Sequence, residues 1–119
     1  MGKSVLYIDD DPAWLARVSQ GLNAAGYEVL TAQNSGEALP HTEGLGLGLI
    51  ILDTNLAGED SFLLMKFLKH NQPDVPVLLY SAEAHDDATV TKMLEQGADQ
   101  YLRKGAVEEL IVTAGSYLC

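Results

Sequence analysis

The chain has 119 residues, a hydrophobic content of 47%, and a net charge of −10 from 7 basic and 17 acidic residues. This length suits one domain with one core, and no apolar run approaches the roughly 18 residues of a membrane span. The negative charge disfavours direct binding of nucleic acid, whose phosphates it would repel. The single cysteine, Cys119, excludes an internal disulfide and fits a reducing, cytoplasmic compartment.

Short apolar runs recur along the chain and predict strands. Several of these runs are continuously apolar, which is typical of parallel strands that are covered on both faces. The predicted strands are Ser4–Ile8, Glu28–Thr31, Gly48–Leu52, Pro76–Tyr80 and Gln100–Leu102.

Segments with helical spacing lie between and after these strands. In the first, Asp11 can cap the helix, Pro12 suits its first turn and Gly26 suits its end. The others are a short helix from Ser35 that Pro40 should break or end, then Glu59–His70, Asp86–Gln96 and Ala106–Leu118.

Five strand–helix repeats predict an α/β fold in which a parallel sheet carries helices on both faces, a doubly wound arrangement. We expect a single domain over residues 1–119, with no output domain in this chain. The glycine-rich segment Gly44–Gly48 precedes a strand instead of following one, so we interpret it as a flexible lead-in and not as a phosphate-binding loop.

Polar side chains follow four of the five predicted strands. Asp9 and Asp10 come after the first, Asp53 after the third, Ser81 after the fourth and Lys104 after the fifth. Sites in open parallel sheets form outside these carboxyl ends. Clustered carboxylates suit a hard divalent cation such as Mg²⁺, and a carboxylate can attack phosphorus to form an acyl phosphate. A hydroxyl and an ammonium can hold the remaining phosphoryl oxygens.

With these residues in place, the whole chain resembles a receiver domain of two-component response regulators of the chemotaxis-Y-like type. The resemblance implies a flavodoxin-like (βα)5 domain with strand order 2-1-3-4-5. The matching segments are Tyr7-Ile8-Asp9-Asp10-Asp11-Pro12, Ile50-Ile51-Leu52-Asp53, Leu79-Tyr80-Ser81-Ala82 and Gly97-Ala98-Asp99-Gln100-Tyr101-Leu102-Arg103-Lys104.

The resemblance implies that Asp53 is the phosphoacceptor. It also implies a Mg²⁺ ion bound by the side chains of Asp10 and Asp53 and by the backbone carbonyl of Asn55, with Asp9 acting through water. The expected donor is the phosphohistidine of a sensor histidine kinase or of a histidine phosphotransfer protein.

The same resemblance implies a switch. Ser81 would be the hydroxyl that moves to the phosphoryl group, with Ala82 the small neighbour that leaves it room. Lys104 would pair with the phosphoryl group, and Tyr101 would change its packing. The expected output face, also a possible homodimer contact, comprises the fourth helix, the fifth strand and the fifth helix.

Three loop positions depart from the family pattern. Ala57 stands where family members usually have proline, Ser61 where they usually have glycine, and Gly105 where a cis-proline commonly follows the lysine. These changes affect loop geometry and not the reacting groups.

Two other functions remain open. One is a pseudo-receiver, an interaction module that is never phosphorylated. The other is a small phosphohydrolase with an aspartyl nucleophile, although Asn55 stands where such enzymes carry a second acid.

Ser81 lacks the context of a hydrolase nucleophile, so His85 and Asp86 do not complete a triad. His41, His70 and His85 show no metal-ligand spacing and are expected on the solvent side.

Overall fold

A computed structural model of the protein describes residues 4–44 and 46–118 and contains five strands and five helices in strict alternation. The strands are β1 (Ser4–Ile8), β2 (Glu28–Ala32), β3 (Leu47–Asp53), β4 (Val77–Ser81) and β5 (Gln100–Arg103). The helices are α1 (Pro12–Ala24), α2 (Ser35–His41), α3 (Ser61–Asn71), α4 (Asp87–Glu95) and α5 (Val107–Leu118).

The strands form one parallel sheet in the order β2-β1-β3-β4-β5. The predicted doubly wound fold and its strand order are therefore confirmed. The register pairs Ile8 with Leu52 and Asp53 with Tyr80, so the carboxyl ends of β1, β3 and β4 lie side by side.

Alternate residues of each strand point to opposite faces of the sheet and so contribute to two separate hydrophobic layers. One layer packs α2, α3 and α4 against residues such as Ile8, Ile50 and Leu52. The other packs α1 and α5 against residues such as Tyr7, Ile51 and Tyr80. All six of these strand residues are buried, which explains why the strand sequences are continuously apolar.

Side chains cap α1, α2, α3 and α4 at their amino ends. Asp11 caps α1 and Pro12 occupies its first turn, as predicted. The third helix begins at Ser61 and not at Glu59, because Asp60 accepts from the first free amides and serves as its cap. Pro40 lies inside α2, which ends one residue later.

Gly26 ends the first helical segment with a φ of +98°, a conformation that glycine adopts without steric cost. The predictions for Cys119 and for Leu45 within the segment Gly44–Gly48 fall outside the described residues. Within the described ranges, none of the helices is long and apolar enough to cross a membrane.

Candidate functional site

The carboxyl edge of the sheet brings together the five residues that were predicted at the strand ends, with Asp10 beside Asp9. Asp9 directly follows β1, Asp53 is the last residue of β3, Ser81 is the last residue of β4, and Lys104 directly follows β5. Asp9, Asp53 and Ser81 are buried. The parallel register alone accounts for this convergence, because neighbouring strands end at the same level.

Asp9 is fully buried and surrounded by donors. Its Oδ2 accepts from the Tyr7 hydroxyl at 2.5 Å and from Lys104 Nζ at 2.6 Å, and its Oδ1 accepts from the Asp11 amide at 3.0 Å. Burial raises the pKa of the Asp9 carboxyl, but the hydrogen bonds from Lys104, Tyr7 and the Asp11 amide outweigh it, so the net pKa lies below the usual value. Asp9 is therefore ionised and fixed in place.

Lys104 is the cation of the site. Its side chain is 4% exposed, and Nζ lies 2.6 Å from Asp9 and 3.4 Å from Asp53. The ammonium also lies 5.0 Å from the ring centre of Trp14 and 5.8 Å from that of Tyr80, within the range of cation–π attraction. Two aromatic rings and two carboxylates thus define where the ammonium lies.

Asp53 is almost as buried as Asp9 but has fewer donors. Its Oδ1 accepts from the Asn55 amide at 3.1 Å, and Oδ2 has only the long contact with Lys104. Burial raises the pKa of Asp53 to about 6; repulsion from ionised Asp9 adds to this effect, and the Asn55 amide and Lys104 partly offset it. A buried carboxylate with free lone pairs can act as a metal ligand or as a nucleophile.

Asp9, Asp10 and Asp53 form a cluster in which one carboxylate oxygen from each lies within 4.8 Å of the others. Such a cluster of oxygen ligands fits a divalent cation. Asp10 is held by a bond from the Ala57 amide to its Oδ2 at 2.8 Å, which leaves its second oxygen available. Because both oxygens of Asp9 already accept from the protein, Asp10 and Asp53 are better placed as direct ligands.

The hydroxyl of Ser81 has three partners. The Thr54 hydroxyl donates to Ser81 Oγ at 2.7 Å, the Glu83 amide donates to it at 3.1 Å, and His85 Nε2 lies 3.4 Å away. Tyr101 is half-buried, and its hydroxyl donates to the Glu83 carbonyl at 3.0 Å. The loop after β4 thus contacts both predicted switch residues.

The three histidines differ from one another in exposure. His70 is exposed, as expected, whereas His41 and His85 are only partly exposed, and the ring of His85 packs edge-on against Tyr101, with 5.8 Å between centroids. The sequence did not predict the contact between His85 and Ser81, four residues apart, because that contact depends on the path of the loop after β4.

Two of the departures from the family pattern contact residues of the acidic cluster directly, so the expectation that they would affect loop geometry alone is wrong. Proline has no amide hydrogen, so the bond from Ala57 to Asp10 exists because alanine stands there. Ser61, in place of glycine, donates its hydroxyl to the Asp53 carbonyl at 3.1 Å. The described residues contain no cis peptide bond, Gly105 included.

Comparisons with known proteins agree with this geometry. The family model described as the response regulator receiver domain matches residues 5–114. The transcriptional regulatory protein PrrA of Mycobacterium leprae is 39% identical over 100 residues, which cover 84% of this chain and 42% of PrrA. The chain therefore spans less than half the length of this relative.

Solved structures share the fold. A CheY-like response regulator receiver domain protein from Methanospirillum hungatei superposes with a TM-score of 0.87 and 28% identity, covering 99% of this chain and 94% of that one. A response regulator from Burkholderia pseudomallei, solved with a phosphorylated aspartic acid, a calcium ion and citrate, gives a TM-score of 0.83 and 30% identity over 96% of this chain and 69% of that one. The chain belongs to the response regulator receiver domains of two-component signalling systems.

Proposed function

We propose that Asp53 accepts a phosphoryl group from the phosphohistidine of a sensor histidine kinase or of a histidine phosphotransfer protein, in a reaction that requires Mg²⁺. The observation that carries this proposal is the setting of Asp53, a buried carboxylate with Asp10 in the same acidic cluster and the Lys104 ammonium 3.4 Å away. A carboxylate in the Burkholderia relative is phosphorylated, which supports the same chemistry here.

The metal would be held by the side chains of Asp10 and Asp53 and by the backbone carbonyl of Asn55, with Asp9 acting through water. The three donors that already occupy Asp9 support this division of roles. When bound, Mg²⁺ relieves repulsion among the carboxylates and neutralises charge on the phosphoryl oxygens.

In the transfer step, an oxygen of Asp53 forms a bond to phosphorus while the phosphorus–nitrogen bond of the donor breaks. The electron pair of that bond returns to the imidazole nitrogen. Lys104 can contact a phosphoryl oxygen, because its ammonium lies between the two carboxylates. A pKa of about 6 leaves Asp53 mostly ionised, and so nucleophilic, at neutral pH.

The response would follow from Ser81 donating to the phosphoryl group and from Tyr101 repacking, which shifts a two-state equilibrium. The output face would comprise α4, β5 and α5. Exposed aliphatic side chains on its two helices, Leu94 and Val112, support a contact with a partner, an output domain or a second copy of the chain. We place this activity in the cytoplasm, with no direct contact to nucleic acid or membrane.

On this proposal the protein is a signalling phosphoacceptor that catalyses its own phosphorylation and dephosphorylation. It is not an enzyme that acts on a separate substrate. A pseudo-receiver would keep the fold without labelling. An aspartyl phosphohydrolase would turn over phosphomonoesters, but Asn55 supplies no second acid.

Incubation with acetyl phosphate and Mg²⁺, followed by intact mass measurement, tests the proposal. The wild type should gain one phosphoryl group. Asp53→Asn should gain none, because an amide is a poor nucleophile. Asp74→Asn, at an exposed position away from the site, should label like wild type. Undiminished labelling of Asp53→Asn would rule out the acceptor, and steady release of phosphate from p-nitrophenyl phosphate would favour the phosphohydrolase.

A further inference from the structure

The hydrogen bonds of Ser81 leave one defined place for its proton. A hydroxyl carries two acceptor lone pairs and one donor hydrogen. The Glu83 amide donates to Ser81 Oγ at 3.1 Å, and Thr54 Oγ1, 2.7 Å away, fills the second lone pair when its hydroxyl is the donor of that pair. The third partner, His85 Nε2 at 3.4 Å, is then the acceptor of the Ser81 hydrogen.

We infer that His85 is a positioning residue of the switch, one that accepts the Ser81 hydrogen in the unphosphorylated protein and so competes with the phosphoryl group for it. This inference rests on the proposed function, in which Ser81 donates to a phosphoryl oxygen. Since a hydroxyl has a single hydrogen, Ser81 must break its hydrogen bond to His85 before it can donate to the phosphoryl group.

His85 is well placed to couple the two switch residues. Its ring packs edge-on against Tyr101, at an interplanar angle of 73°, while its Nε2 faces Ser81. Glu83 also links the two switch residues, because its amide donates to Ser81 and its carbonyl accepts from the Tyr101 hydroxyl. Breaking the bond between Ser81 and His85 would therefore free the imidazole that packs on Tyr101.

The role requires one tautomer. To accept at Nε2, the imidazole must be neutral and carry its hydrogen on Nδ1. Long-range proton–nitrogen correlation spectra of the imidazole-labelled protein report the tautomer directly, without metal or phosphodonor. We expect Nδ1–H as the main form of His85. A main form with the hydrogen on Nε2 would overturn the inference, whatever the outcome for phosphorylation.

The affinity for beryllofluoride with Mg²⁺ measures the competition. His85→Phe keeps a ring against Tyr101 but removes the acceptor, so Ser81 is released. We expect it to bind beryllofluoride about three- to tenfold more tightly than wild type, the range of one hydrogen bond. His85→Gln restores an acceptor oxygen and should return the affinity towards the wild-type value.

His70→Phe, the same change at an exposed position on α3, is the matched control and should leave the affinity unchanged. Equal affinities for wild type and His85→Phe, or equal gains for the Phe and Gln variants, would overturn the role of His85. No binding by wild type or by His70→Phe would instead count against the proposed function, and the tautomer would then decide the inference.

Discussion

The ends of β1 and β3 carry buried aspartates, with oxygens within 4.8 Å of each other, whose pKa values shift in opposite directions. Asp9 accepts from a tyrosine hydroxyl, a lysine ammonium and a backbone amide, and its pKa falls. Asp53 accepts from one amide and has a longer contact with the same lysine, and its pKa rises to about 6. Burial is similar, so the difference in pKa comes from the donors and from the repulsion of Asp53 by ionised Asp9.

On the proposed function, this contrast separates a structural carboxylate, Asp9, from a reactive one, Asp53. Asp9 uses its charge to hold Lys104 in place, and the ionised Asp9 in turn makes it harder for Asp53 to ionise. A site built this way keeps one carboxylate available for a cation or an electrophile. The variants below alter one side of the contrast at a time.

Removal of the ammonium should have the largest effect. Lys104→Met leaves Asp9 buried and without its ion pair, which typically costs about 3–5 kcal/mol in the free energy of unfolding. Urea unfolding at pH 7 measures this cost. Asp9→Asn combined with Lys104→Met removes both charges and should be clearly more stable than Lys104→Met alone. If the double variant is the less stable of the two, the ion pair is not what Lys104 contributes.

Asp53→Asn should have the opposite effect and stabilise the fold when no divalent cation is present. The folded-state pKa of about 6 lies above the ordinary value of 3.8, so between these values the folded protein binds more protons than the unfolded chain. The free energy of unfolding therefore falls as the pH rises through this window, by at most about 3 kcal/mol. Above pH 6 the variant should gain up to that amount.

The gain from Asp53→Asn should disappear below about pH 3, where the wild-type carboxyl is protonated in both states. Thermal unfolding across this pH range measures the dependence. Asp74→Asn serves as the control, since its side chain is exposed and should show no comparable gain. A gain that is independent of pH would contradict an origin in the Asp53 charge.

The sequence predicted the fold and the meeting of Asp9, Asp53, Ser81 and Lys104, because both follow from strand order and from where apolar runs end. Those parts depend on a regular backbone, and the structure confirms the convergence. The roles of these residues as acceptor, ligand and switch stay predictions. The start of α3 was predicted two residues early, because the helical spacing did not show that Asp60 would cap the helix.

The sequence did not reveal how the donors divide between the two aspartates. The sequence pattern shows Tyr7 only as one of the apolar residues of its strand, yet its hydroxyl donates a hydrogen bond to Asp9. The contacts of Ala57 with Asp10 and of His85 with Ser81 depend on loop paths that no periodicity specifies. Local pattern therefore locates the site, whereas loop and side-chain geometry set its electrostatics.

Ala57→Pro should tighten Mg²⁺ binding. Proline lacks the amide hydrogen that bonds to Asp10 Oδ2 at 2.8 Å, so the carboxylate loses a compensating donor and gains a free oxygen. We expect an affinity about three- to tenfold higher, in line with one hydrogen bond. The fluorescence of Trp14, the one tryptophan, reports binding because its ring lies 5.0 Å from Lys104 Nζ. Ala57→Ser keeps the amide and should match wild type; equal affinities for the Pro and Ser variants would contradict this role.

The smallest expected effect concerns the lifetime of the acyl phosphate at Asp53. Hydrolysis needs water in line with the bond from Asp53 to phosphorus, and the resemblance to receiver domains implies that the positions of Asn55 and Glu83 flank that approach. Both are exposed, and neither is a bulky apolar residue. The backbone of Glu83 is held by its bonds with Ser81 and Tyr101, so its exposed side chain can be exchanged without moving the loop.

Glu83→Leu should therefore slow the loss of phosphate by roughly a few-fold, because the apolar side chain would exclude the attacking water or move it out of line. Glu83→Gln keeps the size of the side chain and removes its charge, so it should decay like wild type if position and not acidity matters. Single-turnover decay after removal of the phosphodonor measures both. If Glu83→Leu and wild type decay alike, water does not approach past this side chain, even with Asp53 as the acceptor. If Glu83→Gln slows as much as Glu83→Leu, the glutamate acts through its charge.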